Sequence, residues 1–135
     1  MKNTFSKAER LSSTKQIEEL YKSGKSFRCY PLKITVLQHQ TKEENNVSIL
    51  ISAPKHFFKH ANQRNLIKRR IRESYRTNKH QFIDFCKNHD LFLHISFQYA
   101  NKKLEDFSVI ELALKNALNN IEKLLIADSK PKISE

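Results

Sequence analysis

The stretch HANQRNLIKRRIRESYR, from His60 to Arg76, constrains the fold of this chain more than any other. Leu66, Ile67, Ile71 and Tyr75 recur in it at helical spacing. On a wheel advancing about 100° per residue, Arg64, Lys68, Arg72 and Arg76 fall near 0°, 40°, 80° and 120°, with Asn65 and Arg69 near 100° and 140°. Ser74, Ile67 and Ile71 lie between about 280° and 340°, with Tyr75 at the border of that stripe. One side of this helix must be buried and the adjoining side must stay in water. The helix therefore has to lie on a layer of apolar structure supplied by the rest of the chain.

The charge pattern carries a second message. Like charges four residues apart on a helix repel by some tenths of a kcal/mol, and solvated helix faces usually mix signs. Here three successive steps are like-charged, and Glu73 falls outside the arc. A phosphate backbone is a partner that would offset the repulsion. Within this stretch arginine outnumbers lysine five to one, which suits bidentate phosphate contacts. Asn65 adds a neutral group able to reach a base edge or a 2′-hydroxyl, or simply to sit on the helix surface. Lys55 and Lys59 precede the helix, whose first backbone amides can also meet phosphate.

The rest of the sequence supplies the layer. SSTKQIEELYKSGKS begins with cap residues, places Ile17, Leu20 and Tyr21 on one face, and reaches Gly24, the only glycine, at a C-cap position. This predicts a first helix from about Thr14 to Ser23. SFRCYPLKITVLQH alternates as a strand, with Leu32, Ile34 and Val36 on one side and Lys33, Thr35 and Leu37 on the other. VSILISAP reads as a buried strand, and the two runs are expected to pair as an antiparallel hairpin across TKEENN. After the basic helix, which should end near Asn78, HQFIDFCKN predicts a short helix and DLFLHISFQY a strand. From Glu105 onward an apolar stripe from Val109 to Leu125 predicts a last helix. The expected architecture is α+β, a small two-layer α/β sandwich in the order α-β-β-α-(α)-β-α. It forms one domain over residues 1–125, with 126–135 a polar tail.

Composition narrows the partners. Lys and Arg number 25 against 14 Asp and Glu, a net charge of +11 in 135 residues. Such a field attracts nucleic acid, anionic membrane or acidic proteins. No apolar run is long enough to span a bilayer, and the basic helix lacks the aromatic-rich apolar face of a membrane-surface helix. The first fifteen residues have no apolar stretch fit for a signal peptide. Cys29 and Cys86 stand alone and read as reduced, packing thiols of a cytoplasmic protein. No catalytic constellation is visible. Asp84, Asp90 and Asp106 fall in unrelated segments, and His56 with His60 lacks a third metal ligand. The expectation is a chain with no catalytic group and no metal site of its own.

A second surface can be proposed from the same residues. Ile17, Tyr21 and Phe27 would offer flat or apolar surface to unpaired bases, with Lys33 and Thr35 reaching a backbone beside them. The competing reading, that Ile17, Tyr21 and Phe27 are core, stands equally on sequence alone.

The pattern Lys55-x3-Lys59-x-Ala61-x2-Arg64-Asn65-x-Ile67-Lys68-Arg69-Arg70-Ile71-Arg72-Glu73-x-Tyr75-Arg76 closely resembles the signature helix of the bacterial ribonuclease P protein subunit family. The likeness covers about Arg10 to Leu125, including the first helix and the final strand–helix unit. One position departs from it: the family's helix usually begins Arg-Asn-Arg, and Leu66 occupies the third place. On the wheel Leu66 sits near 200°, away from the basic arc. The resemblance implies a ribosomal-protein-like α/β sandwich, with the basic helix in a left-handed crossover between parallel strands. It implies docking on the ribonuclease P RNA through Arg64, Asn65, Lys68, Arg69 and Arg72, with Lys55, Lys59, Arg70 and Arg76 contributing to the same basic surface. The single-stranded leader of precursor tRNA would lie in a cleft between the first helix and the sheet. Removal of the 5′ leader would be performed by the RNA with Mg²⁺ held mainly by that RNA, and no obligate protein partner is implied. The alternative is an RNA-binding module without enzymatic role, such as a ribosomal protein or an assembly factor.

Overall fold

The computed structural model describes residues 9–39, 42–43 and 45–129. Eight elements follow in the order α1 (Thr14–Ser23), β1 (Lys25–Cys29), β2 (Leu32–His39), β3 (Val47–Ser52), α2 (Ala61–Asn78), α3 (His80–Asn88), β4 (Phe92–Tyr99) and α4 (Phe107–Ser129). The strands form one sheet in the order β1-β2-β4-β3. β1 pairs with β2 and β2 with β4 in antiparallel fashion, while β3 and β4 run parallel. The α+β class expected from the pattern is the one observed.

Two expectations about the strands are corrected. SFRCYPLKITVLQH is not one strand but two, folded back on each other at Tyr30–Pro31, whose peptide bond is cis. Pro31 has no N–H to give a ladder, and its carbonyl instead accepts from Ala100 N–H at 2.8 Å. Nor do β2 and β3 form a hairpin, because β4 lies between them. β4 is the most thoroughly buried strand, with Leu93 to Phe97 covered on both faces, and that burial suits it to the centre of the sheet. α2 and α3 form the crossover between the parallel pair, the length of chain such a connection needs.

The main core lies between one sheet face and the helices. Ile34, Ile49, Ile95 and Phe97 meet Ile67, Ile71 and Tyr75 of α2 and Ile110, Leu114, Ala117 and Ile121 of α4, all fully or almost fully buried. Tyr75, placed by the wheel at the stripe's border, is completely buried. The opposite sheet face carries Thr35, His94 and Ser96, which are also buried, and α1 packs across it. Leu20 is the residue of α1 that is fully enclosed.

Gly24 ends α1 as expected, but for another reason than a left-handed cap. Its backbone is extended, with φ −73°, and its N–H reaches the Leu20 carbonyl at 2.8 Å. A Cβ here would lie 2.4 Å from that carbonyl oxygen and 2.8 Å from Thr35 Cγ2. The helix thus turns into β1 through a space that only glycine fits. At the other end of the chain, α4 continues to Ser129, so the expected boundary at residue 125 falls inside a helix. Residues 130–135 of the expected tail lie outside the described residues.

Candidate nucleic-acid interface

α2 meets β3 and α4 through its apolar stripe and leaves the opposite side in water. Lys68, Arg69 and Arg72 line a shallow hollow together with Asn62, Asn65 and Leu66. A second hollow joins Lys68 and Arg72 to Arg10, Leu11 and residues Ile49–Ile51, so the cationic surface continues from the helix to the outer edge of β3. That edge is partly covered by the segment entering α1, where Leu11 N–H donates to the Ile49 carbonyl at 2.8 Å. Among the described residues, Lys68, Arg69 and Arg72 make no hydrogen bond or ion pair within the protein; Arg69 is exposed, and Lys68 and Arg72 are half-buried. Lys55 and Lys59 are exposed in the loop before α2.

The remaining arginines of α2 give donors to acceptors of the protein itself: Arg64 and Arg76, which the wheel places on the arc, and Arg70, which lies off it. Arg64 projects near the bearing of Tyr75, and its Nη1 donates to the carbonyls of Phe58 and Lys59, both at 2.8 Å. It closes the loop at the helix start, where His60 supplies no side-chain cap. Arg70 Nη1 donates to the backbone carbonyl of Glu105, tying α2 to the loop before α4. Arg76 forms a two-pronged pair with Glu73, at 3.0 Å and 2.8 Å. The hydrogen bond from Arg76 holds the Glu73 carboxyl below its ordinary range, so the pair stays ionised. Leu66 is also corrected: it lies beside Asn62 and Arg69 in the outer hollow rather than away from the basic surface.

The second surface lies on the sheet face crossed by α1. Tyr21 is 46% exposed, yet its hydroxyl is fixed against Ser96 Oγ at 2.7 Å. The ring is held at its tip and open on its side, a geometry that suits stacking. Ile17 is half-buried beside it. Strand register puts Ser26, Arg28, Lys33, Thr35, Ser96 and Gln98 on this same face. Two expected members do not serve as proposed. Phe27 lies opposite Ile34, on the other face, and packs against the core. Thr35 is buried, with its Oγ1 3.0 Å from Ser26 Oγ, so it shapes the floor rather than reaching a ligand. Arg28, directly across from Lys33 and exposed, joins the surface and was hidden in the sequence because β1 had not been separated from β2.

One of the two thiols is sealed in the core. Cys86 is fully buried, and burial pushes its pKa up to about 12, which keeps it protonated and unreactive. No helix of the described residues is long and apolar enough to cross a membrane.

A small α+β sheet-and-helix fold with outward-facing cations on one crossover helix defines a basic protein built to lie on nucleic acid. Comparison with known proteins names the family. The family model described as Ribonuclease P matches residues 5–122. The ribonuclease P protein component of Porphyromonas gingivalis (strain ATCC 33277) is 34% identical over 117 residues, covering 87% of this chain and 85% of the relative. The Staphylococcus aureus RNase P protein superposes with a TM-score of 0.64 at 24% identity, over 85% of this chain and 96% of its own. The protein from Thermotoga maritima gives 0.65 at 23% identity, over 83% and 96%. The chain belongs to the ribonuclease P protein component family, the protein part of an endoribonuclease that works with an RNA subunit.

Proposed function

We propose that this protein docks on the ribonuclease P RNA through the outer side of α2 and holds the 5′ leader of precursor tRNA on the sheet face beside α1. The observation that carries the reading is the division among the cations of α2. Arg64, Arg70 and Arg76 each donate to an acceptor of the protein itself, whereas Lys68, Arg69 and Arg72 surround a hollow with two asparagine amides. Cations left unpaired on a rigid helix gain most from phosphates, whose condensed counterions they release. Asn62 and Asn65 add donors and acceptors for sugar or base edges. Tyr21, Arg28 and Lys33 then offer the combination a flexible single strand needs, one stacking ring beside two charges.

The chain's part is binding, alignment and charge neutralisation. Mg²⁺ prefers oxygen ligands, above all carboxylates and phosphates. The hollow on α2 is lined by cations, amides and Leu66, and Glu73 nearby is committed to Arg76, so this surface does not fit the ion. The reading therefore leaves Mg²⁺ and the hydrolytic chemistry to the RNA, in the cytoplasm where precursor tRNA is made.

Reconstitution tests it. The protein is mixed with a bacterial ribonuclease P RNA and a precursor tRNA at a Mg²⁺ concentration where the RNA alone is slow. The expected result is faster cleavage at the mature 5′ end. Cleavage no faster than with RNA alone would overturn the proposal.

A further inference from the structure

His39, Glu43 and His94 form a cluster whose donor atoms all lie within 4.8 Å of one another, the one group of three such residues among those described. His94 is buried in the central strand at 1% exposure, on the sheet face that α1 crosses. His39 ends β2 on the same face, one diagonal step away, because Leu37 is the residue directly opposite His94. Glu43 comes from the connection to β3. Its Oε1 lies 2.8 Å from His94 Nε2, and its other oxygen accepts from Gln16 of α1 at 3.4 Å.

We propose that this cluster binds a divalent transition ion of the Zn²⁺ class, with His39 Nε2 and His94 Nδ1 as ligands. An ionised carboxylate can only accept, so in the neutral, metal-binding form of His94 the proton sits on Nε2 toward Glu43 and the lone pair on Nδ1. That lone pair points at His39 Nε2, 2.7 Å away, with the ring centroids 3.8 Å apart. Two imidazole nitrogens on a tetrahedral ion sit about 3.3 Å apart, given bonds of 2.0–2.1 Å. Opening the pair by about half an ångström and tilting the His39 ring, so that both lone pairs meet beside the line joining the nitrogens, admits the ion in place of the single proton they share. His39 is partly exposed at the strand end and can supply that movement. With two protein ligands the rest of the coordination is solvent, and unlike His56 and His60 this pair is already in contact and oriented by a carboxylate. Glu43 fixing the far nitrogen of His94 is the outer carboxylate contact that commonly orients metal-bound histidine. Imidazole ligands favour Zn²⁺ and Co²⁺ over Mg²⁺, which sets this site apart from the magnesium chemistry of a ribozyme. Because Gln16 holds Glu43, an ion here would also clamp α1 to the sheet.

The full-length protein is titrated with Co²⁺ and followed by its visible absorption, with Zn²⁺ and Mg²⁺ as competitors. One Co²⁺ per chain is expected, displaced by Zn²⁺ and not by millimolar Mg²⁺, and Zn²⁺ should raise the melting temperature. H39A, altered at a partly exposed strand end, should keep its circular dichroism and lose both effects. The double variant H56A/H60A should retain both. Absence of binding, binding unchanged in H39A, or loss confined to H56A/H60A would each overturn the proposal.

Discussion

The arginines of α2 differ in where their N–H groups go, and on the proposed reading that difference separates structure from binding. Arg70 is the clearest structural member, since it alone anchors the Glu105 carbonyl at the start of the α4 loop. R70A should cost roughly 1–3 kcal/mol of stability, because a partly buried acceptor loses a charged donor. Its affinity for the RNA subunit, measured per folded molecule, should be nearly unchanged. R69A should do the reverse, with an unaltered melting curve and weaker RNA binding. Thermal unfolding and filter binding read the two quantities, and an exchange of effects between the variants would refute the division. A helical wheel cannot make this distinction. It places Arg64 about 20° from Tyr75, yet only the fold shows that the first bends back to carbonyls while the second enters the core.

At the scale of elements, α1 and the sheet beneath it are the proposed leader surface, and Tyr21 is its test. Y21A should weaken binding of precursor tRNA to the holoenzyme by about 1–3 kcal/mol, the usual worth of one stacked base. Mature tRNA, which lacks the leader, should bind unchanged, and Y21F should retain most of the precursor affinity. Equal losses for precursor and mature tRNA would remove the assignment. The helices were legible in the sequence because a period of 3.6 is a local signal: α1, with Ser13 and Gly24 at its ends, was readable to the residue, whereas α4 runs four residues past its expected end at Leu125. The sheet was not. Its order depends on β4 inserting between β2 and β3, a pairing of residues some fifty apart that no local pattern encodes. The misplacement of Phe27 followed from that, since its face is set by the turn at Tyr30–Pro31. The cluster of His39, Glu43 and His94 escaped for the same reason: its members meet only through strand register.

On the scale of the whole molecule, the net charge of +11 has two uses. Distributed over the surface, it speeds encounter with any polyanion. Gathered at Lys68, Arg69 and Arg72, with Arg10 in the adjoining hollow, it forms a patch on a rigid helix. Resemblance to a family could be read from the α2 motif in the sequence. Which of its cations remain free to bind could not, because that depends on carbonyls and carboxylates brought up from other segments.

The most direct test of this account is the salt dependence of binding to the ribonuclease P RNA. Log affinity plotted against log salt should be linear, with a slope of several at about 0.7–0.9 per phosphate contact. R72A should weaken binding and reduce the slope by roughly one contact's share. A slope unchanged by R72A would mean that the outer side of α2 does not lie on phosphate, and the docking surface assigned here would be wrong.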